Sequence, residues 1–208
     1  QFGVTTLARY SSFFGQTVDE GDEEDTAAGA MAGGYFSAGA EGFHIEDAEI
    51  DGEFLNDADI AGRAYVETDV SAYANSDDSP AIAIIGSHFY PVDEFSFEPD
   101  AVSYLVSGGI GLQIIDTYIG DGLTNTGWIG GQAISSGVAK AQARGDEYAR
   151  ASVNEAAAAF AIGISADEIS LGDTFLNAGV VHGYAMADHH STATATGDDA
   201  TATGDDAT

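Results

Sequence analysis

The stretch DAEIDGEFLNDADIAGRAYVETDVSAYAN, residues 47–75, keeps a two-residue period for almost thirty positions. Its even positions read Ala48, Ile50, Gly52, Phe54, Asn56, Ala58, Ile60, Gly62, Ala64, Val66, Thr68, Val70, Ala72 and Ala74. Its odd positions carry Asp47, Glu49, Asp51, Glu53, Asp57, Asp59, Arg63, Glu67 and Asp69. Alternate Cβ atoms of an extended chain point to opposite sides, so this pattern sets a small apolar face against an acidic, solvated one. Antiparallel strands with one wet face give that alternation. The expected fold is therefore all-β: a single-domain antiparallel β-sandwich of jelly-roll type with extended terminal strands.

Working outward, a local echo places Asp57-Ala58-Asp59-Ile60-Ala61-Gly62 ten residues after Asp47-Ala48-Glu49-Ile50-Asp51-Gly52, with a fainter relative at Ala166-Asp167-Glu168-Ile169 followed by Gly172. Two clear copies fit successive strands or two rungs of a coil, and are too few to establish a solenoid. Ala101–Ile119 is the most apolar region and reads as two core strands joined near Gly108-Gly109. Pro91 and Pro99 bracket a loop-rich piece, and Asp77-Asp78-Ser79-Pro80 is a turn. Over 137–165 the Ala content suits a helix. Gly145 and the repeated Ala-X-Ala favour strand, whose Ala and Gly face would let another sheet or chain pack closely.

Composition limits the partners. Five Lys plus Arg against 35 Asp plus Glu give a formal charge of −30, which repels itself wherever ions do not screen it. Nucleic acid and anionic membranes need the opposite sign, so neither is an expected partner. With 44% hydrophobic residues and 21 aromatics the chain folds, the acids forming its skin. Six of them fall within Asp19–Asp25, read as a solvated loop. No cysteine is present, so disulfides and thiolate sites are excluded. No apolar run reaches the ~20 residues of a membrane span, and a chain opening on Gln1 suits a processed, secreted product attached at a cell surface.

The C-terminal Thr-Ala-Thr-Gly-Asp-Asp-Ala occurs at 194–200 and again at 201–207. Its Thr-Ala-Thr parts are compatible with strand and its Gly-Asp-Asp parts with turns. The division expected is an N-terminal extended segment at 1–18, a β-rich domain at 19–190 and a repeat tail at 191–208. An extended terminus that adds a strand to a neighbour is a recurrent route to filaments, and Gln1–Tyr10, with the bulkier alternating side chains, is the expected donor.

No nucleophile elbow, nucleotide loop or complete metal signature is present. Calcium is the most reasonable ligand, with Asp47, Glu49, Asp51, Asp57, Asp59, Asp198, Asp199, Asp205 and Asp206 as candidate oxygen donors. Neither acidic copy is an EF-hand, because the twelfth positions are Ala58 and Thr68 where a bidentate Glu is needed. His182, His189 and His190 with Asp188 form one histidine cluster, read as a solvated loop since adjacent side chains diverge. The function expected is a non-enzymatic, self-assembling extracellular subunit of a filament or surface matrix, joined by strand addition and stabilised by calcium, with itself and divalent cations as partners. The alternative is a monomeric adhesin or carbohydrate-binding domain using Tyr35-Phe36 or Trp128 as a platform. A glycoside hydrolase built on two of the acids and an ice-binding Thr array (Thr194/Thr196, Thr201/Thr203) are minor alternatives.

Overall fold

The computed structural model describes residues 2–18, 28–76, 80–86, 88–93, 96–101, 103–146, 148–204 and 206–207. Every element among them is a strand: β1 (Phe2–Val18), β2 (Ala28–Ala32), β3 (Tyr35–Glu46), β4 (Glu49–Ile50), β5 (Phe54–Asn56), β6 (Asp59–Ser76), β7 (Ala81–Ile85), β8 (His88–Asp93), β9 (Ser96–Ala101), β10 (Ser103–Ile115), β11 (Tyr118–Ile119), β12 (Leu123–Asn125), β13 (Trp128–Arg144), β14 (Tyr148–Val153), β15 (Glu155–Asp167), β16 (Ser170–Leu171), β17 (Phe175–Asn177), β18 (Val180–Thr196), β19 (Asp199–Thr203) and β20 (Asp206–Ala207).

The all-β expectation holds and the antiparallel sandwich does not. Equivalent strands stack in parallel: β1, β6, β13 and β18 form one wall, β3, β10 and β15 the facing wall, and β2, β7, β14 and β19 a shorter sheet. The corner strands β4, β11, β16 and β5, β12, β17 stack likewise. Among the described residues only β8 and β9 pair antiparallel. The chain is a β-solenoid. A strand facing a coil's interior alternates as a sandwich strand does, so the period of two reports the buried face and is silent on the direction of the neighbour.

The registers set the coil length. Asp59 stacks under Trp128 and Trp128 under Val180, so successive coils take 69 and 52 residues. The longer coil carries the β8–β9 hairpin between Ile85 and Ser103, and this hairpin replaces the loop expected around Pro91 and Pro99. The ten-residue echo is not a rung. Its two copies straddle successive corners of one coil, and the long alternating stretch is three strands, β4, β5 and β6, that keep phase around those corners.

Inside, the residues sort by size. Ala28, Ala30 and Ala32 with Ala81, Ala83, Ala149 and Ala151 meet Ala72, Ala74, Ala139, Ala141 and Ala143 of the long wall, an alanine lobe with closely spaced walls. At the other end Ile60, Leu112, Ile114, Ile119, Leu123 and Ile129 form a bulkier lobe, to which Phe43 and Phe54 add their rings 5.9 Å apart. Glycines pinch the coil between the lobes. A Cβ on Gly42 would lie 2.6 Å from Gly111 O, and one on Gly111 would lie 2.5 Å from Gly163 O and 2.8 Å from Gly130 N.

This waist also shifts the phase of the second wall. In β3 the inward residues are Ala38 and Ala40 before Gly42, then Phe43 and Ile45 after it. In β10 the shift falls at Gly111, so Ser103–Ile115 is one bulged strand, where two strands joined at Gly108-Gly109 were expected. The 137–165 region is strand, as its Ala-X-Ala pattern indicates, and its alanines pack against the facing wall of their own coil. The acidic loop at 19–25 and the turn at 77–79 lie outside the described residues.

Both termini join the same solenoid. β1 pairs with β6 from Phe2↔Ile60 to Val18↔Ser76, so the expected donor strand already occupies one edge of its own sheet. The tail is strand too: β19 pairs with β14, and β20 returns to β18 through Thr192↔Asp206, an offset of 14 or twice the seven-residue repeat. Two repeats thus make one narrow coil, which seats Ala195 and Ala202 on the alanine lobe.

Candidate functional site: the open C-terminal rung

An asparagine column runs up the corner of the bulky lobe. Asn56 Nδ2 donates to Asn125 Oδ1 at 2.7 Å, and Asn125 Nδ2 donates to Asn177 Oδ1 at 2.7 Å. The corner turns use the same residues, since the carbonyl of Asn56 accepts from Thr126 N and Gly127 N, and that of Asn125 from Ala178 N and Gly179 N. Burying a primary amide requires such partners, and a column of identical side chains supplies them rung by rung. Asn177 repeats the position with an exposed side chain, and among the described residues no strand stacks beyond β17.

The apolar columns end there as well. Ile60 and Ile129 are buried, whereas Val181 above them is 40% exposed. Leu123 is buried and Phe175 above it is 51% exposed. Among the described residues β15, β16 and β17 are the last strands of their sheets, and β20 pairs with β18 at Thr192 and Ala193. On the outer surface Val180, Tyr184 and Met186 of β18 and Phe160 and Ile162 of β15 are exposed. The tail covers the alanine lobe and leaves the bulky lobe open.

The histidine cluster is in β18 and is not a loop. His189 faces inward, stacked above Gly137, where a Cβ would crowd Thr68 Oγ1 at 2.6 Å and Leu105 at 2.7 Å and touch the His189 ring at an ordinary 3.5 Å. Its Nε2 lies 2.6 Å from Glu155 Oε2, with side chains 12% and 0% exposed. Burial holds the Glu155 carboxyl above the usual range, opposed by its hydrogen bond to His189 and by that ring's charge. His182 and His190 take the opposite, exposed parity. On β3, His44 sits 2.8 Å from Glu41 and 3.3 Å from Glu46, and its hydrogen bond to the Glu41 carboxylate leads the causes that raise its pKa.

The candidate calcium donors fall at separate places. Asp47, Glu49, Asp51, Asp57 and Asp59 line the exposed corner of the first coil, while Asp198 and Asp199 lie on the last coil beside the alanine lobe. Asp206 is in β20, and Asp205 lies outside the described residues. Asp47 begins a column with Asp116 and Glu168, all three at positive φ, in which the hydrogen bond Glu168 gives to Asp116, followed by the charge of Asp116, raises the Glu168 pKa. Among the described residues no three His, Asp or Glu side chains are arranged to hold a metal ion. The Thr pairs are divided between two sheets, Thr194 and Thr196 on β18 and Thr201 and Thr203 on β19.

Of the aromatic platforms, Tyr35 is well exposed and stacks beside exposed Tyr104, whereas Phe36 packs inward and Trp128 is half-buried. A shallow trough of about 500 Å³ runs along this face over Gly39 and Gly108 to Phe160. No described helix is long and apolar enough to cross a membrane. Sequence reasoning missed the asparagine column and the glycine waist, although Phe-Leu-Asn recurs unchanged at 54–56 and 175–177. Compared with known proteins, the chain matches no family model, no curated protein and no solved structure.

Proposed function

We propose that this chain is a non-enzymatic structural subunit of an extracellular surface assembly, which associates with itself by adding strands at its free sheet edges. The observation that carries this reading is the last rung, where β15–β17 end their sheets among the described residues, the apolar columns surface at Phe175 and Val181, and Asn177 ends the asparagine column. The molecule is also a plate: strands of 17 residues span ~56 Å, while four rungs rise only ~15 Å between first and last. Its accessible surface of 10877 Å² exceeds by ~1,800 Å² what surface–mass scaling gives for a compact monomer of this mass. That excess is about the area two proteins bury in a stable interface.

Cations enter the proposal because the net charge must be screened before acidic plates approach. Negative-stain electron microscopy and light scattering of the purified chain, with millimolar calcium and after chelation, test the reading. Ordered assemblies support it, and their loss on chelation gives calcium a bridging role. Uniform monomers in both conditions overturn it. A second reading, a carbohydrate-binding surface, draws on the Tyr35–Tyr104 pair beside the trough, since exposed aromatic faces stack on sugar rings. Glycan-array binding that is abolished by Tyr104→Ala would favour that reading.

A further inference from the structure

We infer that the outer face of the long wall, at its alanine-lobe end, binds an acidic polysaccharide, a chain of sugar rings bearing carboxylate or sulfate groups. The face belongs to every single copy of the chain, so the inference stands apart from self-association.

The cations are gathered on one side of the plate. The chain has five, and four of them, Arg9, Arg63, Lys140 and Arg144, fall on outward positions of the long wall. The pleat sets this, because Ala72, Ala74, Ala141 and Ala143 fill the alanine lobe and the residues between them must face solvent.

At that end the outward residues form a block. Ser71, Tyr73 and Asn75 of β6 stand beside Lys140, Gln142 and Arg144 of β13. Thr192, Thr194 and Thr196 of β18 continue the three rows. Each of these nine side chains carries a hydrogen-bond donor and none is a carboxylate, in a chain where 35 of 208 residues are Asp or Glu. Asp69 of β6 and Asp206 of β20 border the block without entering it. Lys140 and Arg144 are exposed, and among the described residues neither is in an ion pair, whereas Arg9 is bound to Glu67. Ser71, Tyr73, Lys140 and Gln142 line a depression of about 330 Å³ within the block.

This chemistry selects the ligand. A single ammonium set among a phenol ring, an amide and a hydroxyl suits a sugar ring with one acid group: the ring stacks on Tyr73, its hydroxyls bond Gln142 and Ser71, and its anion meets Lys140. Arg144 lies four residues further along β13, ~13 Å away, where it meets an anion on a later ring of the same polymer. A peptide strand finds no main chain to pair with here, since β6 lies between β1 and β13, and β13 between β6 and β18. Nucleic acid draws its affinity from many neutralised phosphates, which two cations do not supply. The acids at the far corners do not override the site, because salt at physiological strength screens charges beyond ~8 Å.

Calorimetric titration with polygalacturonate tests the proposal, in EDTA so that no divalent cation bridges acids of the protein and the polymer. The parent should bind it at least tenfold more tightly than neutral dextran, and less tightly as NaCl rises from about 0.05 to 0.3 M. Lys140→Glu should weaken binding at least tenfold with an unchanged strand spectrum. Arg150→Glu makes the same change of charge on the outward side of β14, across the plate, and should leave binding within about twofold. Dextran sulfate bound as tightly as polygalacturonate supports the site and assigns the preference to charge; tighter binding of polygalacturonate supports it and assigns the carboxylate. Poly-glutamate or single-stranded DNA bound as tightly as either overturns the sugar as ligand. No binding of either acidic polysaccharide, or equal losses in Lys140→Glu and Arg150→Glu, overturns the site, and both results leave self-association standing.

Discussion

Asn125 gives its side-chain amide to Asn177 Oδ1 and takes the amide of Asn56, both across 2.7 Å, so one buried side chain ties three rungs together. Asn125→Ala removes both bonds and strands the Asn56 amide in a buried corner. It should cost about 2–4 kcal/mol in urea unfolding, whereas Asn177→Ala on the exposed rung should cost under about 1 kcal/mol. Equal costs for the two would mean the column does not hold the rungs.

The waist makes a sharper contrast between two glycines. Gly111→Ala drives a Cβ into the Gly163 carbonyl and Gly130 backbone, which cannot retreat, and should cost at least about 3 kcal/mol or prevent folding. Gly39→Ala meets nothing within 4 Å and should be neutral or stabilise by up to about 1 kcal/mol through lost chain entropy. Thermal melting of both variants decides it, and a Gly111→Ala protein that melts with the parent would refute the pinched coil.

The column of Asp116 and Glu168 predicts a pH dependence. Glu168 holds its proton more tightly in the folded chain, because Asp116 shares it and the charges of Asp116 and Asp167 oppose its loss. A raised carboxyl pKa gives a contribution that falls as pH rises through the folded value. Asp116→Asn keeps a side chain that tolerates positive φ and removes the like charge. The variant should be more stable than the parent at pH 7 and lose that advantage near pH 4. Parallel stability curves would show that the two acids do not interact.

His189→Ala leaves the Glu155 carboxylate buried without its partner and should cost about 3–5 kcal/mol at pH 7. The Glu155 pKa is already raised by burial, and losing the opposing ring raises it further. Stability attached to this group falls as pH rises from the ordinary glutamate range through the folded value, so the deficit should shrink at pH 4–5. Chemical denaturation at the two pH values measures this, and a deficit independent of pH would assign the loss to packing.

With a formal charge of −30, raising NaCl from 0.1 to 1 M should increase the melting temperature by several degrees. Calcium at matched ionic strength should add to that only if carboxylates bind it as an ordered ligand, which calorimetric titration would register as saturable heat.

Alternation between Ala48 and Ala74 gave the buried face of β6 and the all-β class, because side-chain parity is a local property of the chain. Strand direction is not local. It appears only when Phe54-Leu55-Asn56 is aligned with Leu123-Thr124-Asn125 and Phe175-Leu176-Asn177, and the unequal spacings of 69 and 52 residues hide that match from any fixed-period comparison. The phase shift at Gly111 had a visible trace, since Ile110, Leu112 and Ile114 share a parity in sequence yet only the last two face inward. The open rung left a fainter one, the scarcity of acids from 172 to 186 in a chain where they are otherwise dense. The Glu155–His189 pair left none, because 34 residues separate two side chains that meet only through the coil.

The β8–β9 hairpin leaves the coil between Gly86, whose N–H bonds Ala32 O, and Tyr104, whose N–H bonds Gly34 O. Rungs below and above it stay in register. That seam is a ready-made graft site: a guest peptide spliced in place of the hairpin would be displayed from the side of the plate, with its two ends held by bonds the solenoid already makes.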